Sequence, residues 1–304
     1  VRSYYEEDPE MTDQYMPSFV IEEEGQPVGA IEDGDAVVLF NFRGDRAIEI
    51  SRAFEEENFT EFERVRRPEV FYAGLMQYDG DALIPKNYLV EPPAIDRTLG
   101  EYLCATGVTS CAISETQKFG HVTYFWNGNR SGYSDEQLEL YEEIASDRIT
   151  FDLKPWMKAA EITDRVVEAI AAGNHKFIRL NFANGDMVGH TGVVPAVRIA
   201  VETVDLCLGR VLSAIKAAGG IAVVTADHGN ADCMWTAKKG VRTPMVAHTL
   251  NPVPCVIKDY DGANRFSLTG VVEPGLSNVA ATLCVLLGYD APSEYDPPLV
   301  KLAG

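Results

Sequence analysis

The sequence predicts an α/β protein with a mostly parallel sheet flanked by helices. Short apolar runs typical of buried strands alternate with amphipathic segments of helical spacing along most of the 304 residues. A proline pair, Pro92-Pro93, interrupts both patterns and predicts a domain boundary near residues 90–94. The length is enough for about two domains.

Each element is predicted from the same patterns. Before the boundary, the continuous apolar run DAVVLF (35–40) predicts a buried strand, and residues 46–57 have helical spacing. Beyond it, the predicted strands are 109–114, 122–126, 176–182, 220–226 and 254–257. The predicted helices are 95–106, 134–146 with Ser134 as N-cap, 161–173 ending at Gly173, and 194–220.

Charge and composition exclude several classes of partner. The net charge of −20 argues against nucleic acid and anionic membranes, since both require a basic face. No apolar stretch is long enough to cross a bilayer, and the first residues lack a signal-peptide pattern. The six cysteines have no CxxC spacing and mostly lie in apolar runs, which favours core thiols in a reducing compartment over a disulfide framework. We therefore expect a cytoplasmic protein.

Three loops that adjoin predicted strands bring together carboxylates and imidazoles. Asp186 and His190 follow the strand 176–182, Asp227 and His228 follow 220–226, and His248 precedes 254–257. Because ligands gather at the carboxyl ends of strands in open sheets, these loops are candidates for one site. Oxygen and imidazole ligands suit divalent ions such as Mn²⁺, Zn²⁺ or Co²⁺, and two sets could hold an ion pair that assists phosphoryl transfer. The alternative is that each histidine only satisfies its own loop.

The other two histidines lack this repetition. His175 is expected at the surface between a helix and a strand, and His121 is expected to be a packed residue.

Basic residues follow two other predicted strands. Arg43 and Arg46 lie three apart, and two planar guanidinium groups suit a phosphate, although Asp45 could instead pair with one of them. Lys118 could neutralise a transferring phosphoryl group or lower the pKa of a nucleophile. Ser114 is expected to be a helix N-cap rather than a nucleophile.

Together, five segments resemble the cofactor-independent (2,3-bisphosphoglycerate-independent) phosphoglycerate mutases in order and spacing. The matching segments are FNFRGDR (40–46), SETQKFGHVTYFWNGNRSGY (114–133), NFANGDMVGHTG (181–192), ADHGNAD (226–232) and AHTLNPVP (247–254). The extended stretch KFGHVTYFWNGNRSGY (118–133), which contains His121, is similar to the form of the family found in plants and trypanosomatids. The resemblance runs across nearly the whole chain.

The resemblance implies a fold, a reaction and a set of ligands. It implies a partial α/β phosphotransferase domain at 1–92 and an alkaline-phosphatase-like three-layer α/β/α domain at 93–304. It implies interconversion of 3-phosphoglycerate and 2-phosphoglycerate through a phosphoserine, with two divalent ions (Mn²⁺ first, or Co²⁺, Mg²⁺ or Zn²⁺) and without 2,3-bisphosphoglycerate. The implied roles are one metal for Asp186, His190 and His248, a second metal for Asp227 and His228, substrate binding for Arg43 and Arg46, and phosphoryl stabilisation for Lys118.

One feature of the family has no counterpart in these residues. Its nucleophilic serine lies in a GNSEVGH-type segment, and no such segment occurs here. We therefore expect a C-terminal part of such an enzyme, a monomer that needs the N-terminal part of the same enzyme as partner and cannot catalyse the mutase reaction alone. The alternatives are a metal-dependent phosphatase or phosphopentomutase-like enzyme, and a non-catalytic metal-binding module.

Overall fold

The chain forms two compact units, Val1–Ala94 and Ile95–Gly304, in the computed structural model. The structure describes residues 2–8, 11, 16–79, 82–90, 95–238, 241–262 and 265–303, apart from the side chains of Asp45, Lys238 and Val241. The predicted domain boundary falls largely on residues 91–94, which lie outside the described residues. The domain identities assigned to 1–92 and 93–304 stay predictions.

The first unit is organised around a small parallel sheet. Its strands are β1 (Glu22–Glu23), β2 (Gln26–Pro27), β3 (Ala36–Leu39), β4 (Phe71–Met76) and β5 (Tyr88–Val90), and its helices are α1 (Arg2–Glu7) and α2 (Asp45–Glu55). The strands β3, β4 and β5 lie side by side in that order and are parallel. The strand and the helix predicted in this region are confirmed as β3 and α2. The predicted burial of the strand is wrong, because exposed and half-buried positions alternate along β3.

The second unit begins with a capped helix and contains most of the regular structure. Its helices are α3 (Leu99–Ala105), α4 (Thr116–Val122), α5 (Ala159–Ala172), α6 (Asn184–Gly189), α7 (Val194–Ala217) and α8 (Asn278–Leu286). Its strands are β6 (Ser110–Glu115), β7 (Glu139–Ile144), β8 (Phe177–Asn181), β9 (Ile221–Thr225), β10 (Trp235–Lys238), β11 (Val241–Pro244), β12 (Cys255–Asp259), β13 (Phe266–Leu268) and β14 (Val300–Leu302).

The core of the second unit surrounds the parallel sheet β7-β6-β8. All six residues of the central strand β6 are buried, as expected for a strand covered on both faces. Ile113 of this strand packs with Ile162 and Val166 of α5. The helix α5 ends at Gly173, whose φ of 67° is the left-handed conformation that favours glycine at a helix C-terminus.

Two sheet edges determine where the predicted site residues emerge. β6 and β8 are parallel neighbours, so the segments that follow them, α4 and α6, begin at the same edge. β9 and β12 are antiparallel, and Thr225 at the end of β9 faces Cys255 at the start of β12. The loop that leaves β9 therefore lies beside the loop that enters β12.

The predicted helix at 134–146 is wrong, because this segment contains the strand β7. Ser134 does not cap a helix there; its backbone N–H donates to the carboxylate of Glu139 at 2.6 Å. Glu139 is 6% exposed and also accepts a hydrogen bond from the Tyr141 hydroxyl. Pairing with β6 and these buried contacts override the helical spacing of the apolar residues.

The segment around 114–126 also differs from its prediction. Residues 123–126 form turns after α4 rather than a strand, since Phe125 N–H donates to Gly120 and Asn127 N–H to Thr123. Ser114 is not an N-cap: it lies buried inside β6, and its hydroxyl is 3.3 Å from the Asn181 carbonyl oxygen, to which it donates.

The cysteines agree only in part with the prediction that they are core thiols. All six cysteines are free, but only Cys111, Cys207 and Cys284 are buried, whereas Cys255 is exposed. Among the described helices, none combines the length and the apolar character of a membrane span.

Candidate metal centre

Two predicted ligands come from the short helix that follows β8. Asp186 lies in the first turn of α6, and His190 follows the last residue of this helix. A spacing of four residues places both side chains on one face of the helix. Val188, on another face, is fully buried in a core formed with Ala183 and Ala200. Core packing of α6 thus fixes the direction in which Asp186 and His190 point.

His248 approaches the same place from the loop before β12. Gly229 and Thr249 form an isolated antiparallel bridge, in which Thr249 N–H donates to the Gly229 carbonyl at 2.8 Å. This bridge sets His248 beside His228, and their rings stack with centroids 3.7 Å apart. The loops after β9 and before β12 therefore place the imidazoles of His228 and His248 side by side.

Asp186, His190 and His248 converge on one point. One carboxylate oxygen of Asp186, Oδ1, lies 3.0 Å from Nε2 of His190 and 3.0 Å from Nε2 of His248. The two Nε2 atoms are 3.1 Å apart. The three side chains form a group whose ligand atoms all lie within 4.8 Å of one another.

The chemistry of this donor set fits a divalent cation. His190 Nδ1 is 2.6 Å from the Val246 carbonyl oxygen, to which it donates, so Nε2 faces the other two ligand atoms. An imidazole that donates its second N–H to a backbone carbonyl is the usual outer support of a metal-binding histidine. Three closely spaced lone-pair atoms repel one another unless a proton or a cation lies between them. A metal ion would satisfy all three at once.

The charge states of the three ligands differ. Burial alone would raise the pKa of Asp186, but hydrogen bonds from His190 and Lys118 outweigh it and hold this pKa well below its usual range. The hydrogen bond to Asp186 raises the pKa of His190. Burial lowers the pKa of His248, and the neighbouring imidazoles lower it further. These shifts favour the charged forms of Asp186 and His190 and the neutral form of His248.

Lys118 is the cation nearest to this carboxylate among the described contacts. It lies in α4, is 7% exposed, and its Nζ is 2.7 Å from Oδ2 of Asp186. A buried lysine requires such a partner to keep its charge. The structure therefore places Lys118 beside the candidate ligands, at the edge where β6 and β8 end.

Asp227 and His228 lie next to the three-residue group without joining it. His228 stacks on His248, and its Nδ1 is buried with no hydrogen-bond partner in the described part of the chain. Its Nε2 is 3.5 Å from Asp227 Oδ2, and the Asp227 side chain is 57% exposed. This pair presents two further potential ligand groups toward solvent.

The remaining candidates belong to other segments of the chain. Arg43 and Arg46 belong to the first unit, where both are exposed around the start of α2, and the pairing considered for Asp45 lies outside the described residues. His121 makes an edge contact with Phe125, with ring centroids 5.1 Å apart. His175 is partly buried rather than at the surface.

Two polar residues at the site were missed by sequence reasoning. Asn230 donates to the Asp186 carboxylate, and the Asp232 carboxylate accepts from Thr249 and Asn251. Both lie in ADHGNAD, where an Asn and an Asp after a glycine resemble ordinary turn residues. Only their contacts distinguish them from such residues.

The chain has curated relatives among the phosphoglycerate mutases. It is 51% identical over 311 residues to the 2,3-bisphosphoglycerate-independent phosphoglycerate mutase of Trypanosoma brucei brucei, an alignment that covers 99% of this chain and 56% of the relative. It is 50% identical over 307 residues to phosphoglycerate mutase 1 of this type from Arabidopsis thaliana, covering 97% of this chain and 55% of the relative. The resemblance inferred from the motifs is confirmed, and the chain spans a little over half the length of these relatives.

A solved structure agrees with the fold. A crystal structure of Leishmania mexicana phosphoglycerate mutase at low cobalt concentration matches with a TM-score of 0.94 and 49% identity, over 99% of this chain and 57% of that one. The predicted α/β class is confirmed by this match and by the parallel sheets. In this chain, Asp186, His190 and His248 form a group that could hold a metal ion.

A family model also matches residues of both units. The model described as the metalloenzyme superfamily covers residues 21–291, which is most of the chain. The chain belongs to the metalloenzyme superfamily.

Proposed function

We propose that the protein to which this chain contributes interconverts 3-phosphoglycerate and 2-phosphoglycerate with the help of divalent metal ions. The observation that carries this proposal is the convergence of Asp186, His190 and His248 beside a buried lysine. A metal group alone would suit many hydrolases and transferases. The identity of about half the residues with phosphoglycerate mutases favours this reaction over the others.

The ligands divide into two sets in this proposal. Asp186, His190 and His248 would hold one ion, and Asp227 with His228 would contribute to a second. We propose Mn²⁺ as the ion, with Co²⁺, Mg²⁺ and Zn²⁺ as the alternatives compatible with oxygen and imidazole ligands. When bound, such ions stabilise the negative charge that develops on a transferring phosphoryl group.

Lys118 supplies a second positive charge at the same place. Its Nζ is held by Asp186 at 2.7 Å, and burial keeps water away from most of its side chain. A fixed ammonium in a partly water-excluded site stabilises an anionic phosphoryl group more than a solvated one does. In this proposal, Lys118 binds the phosphoryl group throughout its transfer.

Arg43 and Arg46 are proposed to bind the rest of the substrate. Both are exposed and lie three residues apart at the start of α2. Two guanidinium groups at this spacing can bind a carboxylate or a phosphate through paired hydrogen bonds. In a chain of net charge −20, such a local pair is needed to attract an anionic substrate.

The nucleophile is proposed to come from outside these 304 residues. The serine segment that the resemblance requires does not occur in the sequence. We therefore propose that phosphoserine formation needs the additional polypeptide that the relatives contain, and that this chain alone does not turn over. The monomeric state and the cytoplasmic location stay predictions.

A chimera tests the proposal directly. The part of the Trypanosoma brucei relative that this chain does not cover is joined to this chain, and ³¹P NMR follows 3-phosphoglycerate in the presence of Mn²⁺. We expect conversion to 2-phosphoglycerate by the chimera, none by the chain alone, and a loss of at least about 100-fold for His190→Ala in the chimera, in line with the loss of a phosphoryl-stabilising group.

The same experiment separates the competing functions. Release of inorganic phosphate as the main product would indicate a phosphatase, and isomerisation of a phosphopentose instead of phosphoglycerate would indicate a phosphopentomutase-like enzyme. Tight Mn²⁺ binding without any phosphoryl transfer by the chimera would indicate a non-catalytic module. Each of these outcomes would contradict the proposed reaction.

A further inference from the structure

The loop after β9 contacts both segments that carry the three-residue group. Its first residues, Asp227 and His228, were predicted as ligands, whereas Asn230 and Asp232 were not. Asn230 reaches back to α6, and Asp232 reaches across to the loop that carries His248. The loop after β9 thus contacts both α6, which contains Asp186, and the loop that contains His248.

Asn230 orients the carboxylate of Asp186. Its Nδ2 donates to Asp186 Oδ1 at 3.1 Å and lies 3.4 Å from the Asp186 backbone oxygen. The residue is 4% exposed, and its Oδ1 has no hydrogen-bond partner among the described residues. Turning the amide over would place Oδ1 against the carboxylate, which repulsion forbids. The amide is therefore held with its donor toward Asp186 at the expense of an unsatisfied oxygen.

Gly189 makes this approach possible. A Cβ atom at position 189 would overlap the Asn230 side-chain amide. Because Gly189 directly precedes His190, the amide packs against the backbone that sets the direction of this imidazole. Asn230 therefore contacts Asp186 and lies against the residue before His190.

Asp232 holds the segment of His248. Its Oδ2 is 3.1 Å from Thr249 Oγ1 and 2.5 Å from Asn251 Nδ2, and both groups donate to it. Gly229, in the same loop, leaves no room for a Cβ beside Thr249 Oγ1 and Asp232. Since Asp232 is exposed, water screens these contacts, and its contribution should be smaller than that of Asn230.

We propose that Asn230 and Asp232 are positioning residues, which fix Asp186 and His248 in the arrangement that binds the metal. The inference rests on the metal site of the proposed function. Partners that orient ligands typically contribute about 10- to 100-fold to metal affinity. For Asn230, the expected loss is in this range; for Asp232, whose contacts are exposed, it is about threefold, below this range.

The test compares matched variants of the 304-residue chain. Asn230→Leu and Asn230→Ala both remove the donor, and Asp232→Ala removes the acceptor. Asn278→Leu is the control for Asn230, because Asn278 is equally buried at 4% exposure and hydrogen-bonds Pro297 and Gly275 instead. Asp261→Ala is the control for Asp232, since Asp261 is exposed and pairs with Arg265. Co²⁺ affinity is measured from its visible absorption, and the histidine ring signals of the metal-free chain are recorded by NMR.

We expect weaker Co²⁺ binding for both Asn230 variants and for Asp232→Ala, and unchanged affinity for the two controls. In the metal-free chain, the ring signals of His190 should shift in the Asn230 variants but not in Asn278→Leu. Equal affinities and unshifted ring signals in the folded Asn230 variants would overturn the inference. Failure of the unmutated chain to bind Co²⁺ would refute the proposed metal site. The ring signals of the metal-free chain would still show whether Asn230 fixes the arrangement of Asp186 and His190.

Discussion

The two three-stranded sheets of this protein are both parallel but differ in how they are covered. In the second unit, every residue of the central strand β6 is buried. In the first unit, side chains of all three strands are exposed, including Val38 at 47%, Phe71 at 59% and Leu89 at 61%. A parallel arrangement therefore does not by itself produce a covered sheet.

The difference matters for the site, because Lys118 and Asp186 follow two strands of the covered sheet. Lys118 and Asp186 follow β6 and β8, whose packing against α5 leaves little freedom at the strand ends. Arg43 follows β3, in which half-buried positions alternate with exposed ones. Lys118 and Asp186 thus follow well-packed strands, whereas the two arginines are exposed.

The largest expected effect compares one truncation in each sheet. Ile113→Ala in β6 removes a fully buried side chain and should lower the free energy of unfolding by about 2–5 kcal/mol. Leu89→Ala in β5 removes the same number of atoms from an exposed position and should cost about 0.5 kcal/mol. Urea unfolding is followed by fluorescence for the first variant, because all three tryptophans (126, 156 and 235) lie in the second unit, and by hydrogen exchange of β4 for the second. Equal losses would show that the contrast in coverage is false.

A buried carboxyl group should make the stability of the second unit depend on pH. Burial raises the pKa of Glu115, at the end of β6, from 4.5 to about 7. Because the folded state holds this proton more tightly, the contribution of Glu115 to stability is greatest below about pH 4.5 and falls by about 3 kcal/mol as pH rises through 7. Glu115→Gln cannot ionise and should be more stable than the parent protein at pH 8.5, with little difference at pH 4.5.

The control for this pH effect lies on the neighbouring strand. Glu143 of β7 is exposed, so Glu143→Gln should leave the pH dependence of unfolding unchanged. Urea unfolding between pH 4.5 and 9 checks both variants. An unaltered pH dependence in Glu115→Gln would mean that this carboxyl group remains ionised in the fold.

Metal removal should affect the second unit alone. A cation present at about 100 times its dissociation constant stabilises the state that binds it by about 2.7 kcal/mol. Chelation should therefore lower the unfolding midpoint reported by tryptophan fluorescence and leave hydrogen exchange in β4 unchanged. His190→Ala should abolish the difference, while His175→Ala should preserve it. A similar response to chelation in His190→Ala would place the cation elsewhere.

The smallest effect is expected for the arginines of the first unit. Arg43→Gln and Arg46→Gln replace exposed side chains and should change the free energy of unfolding by less than about 0.5 kcal/mol. In the chimera, by contrast, both should raise the KM for phosphoglycerate. A large loss of stability would assign these residues a structural role.

Sequence patterns predicted the elements whose environment is uniform along their length. The strand at 176–182 and the helices at 161–173 and 194–220 are confirmed, because apolar residues recur along the whole of each segment. The helix prediction for 134–146 failed because β7 pairs with β6, and the local sequence does not specify this pairing with a distant strand. The burial of β3 was misjudged because an apolar run does not reveal whether helices cover both faces.

The sequence indicated which loops contain the site residues, but it did not indicate how their side chains are arranged. Strand-end positions indicated Asp186, His190 and His248, which do converge. The same reasoning grouped Asp227 and His228 with them, although these two lie beside the group. Asn230 and Asp232 could not be recognised, because their roles depend on contacts 44 and 17–19 residues away in the chain.

The central claim is that Asp186, His190 and His248 form one metal site. Anomalous diffraction at the manganese edge from crystals of the Mn²⁺-loaded chain tests it most directly. We expect a peak within coordination distance of Asp186 Oδ1 and of Nε2 of both histidines. A manganese peak elsewhere, or none at this group in well-ordered crystals, would contradict it.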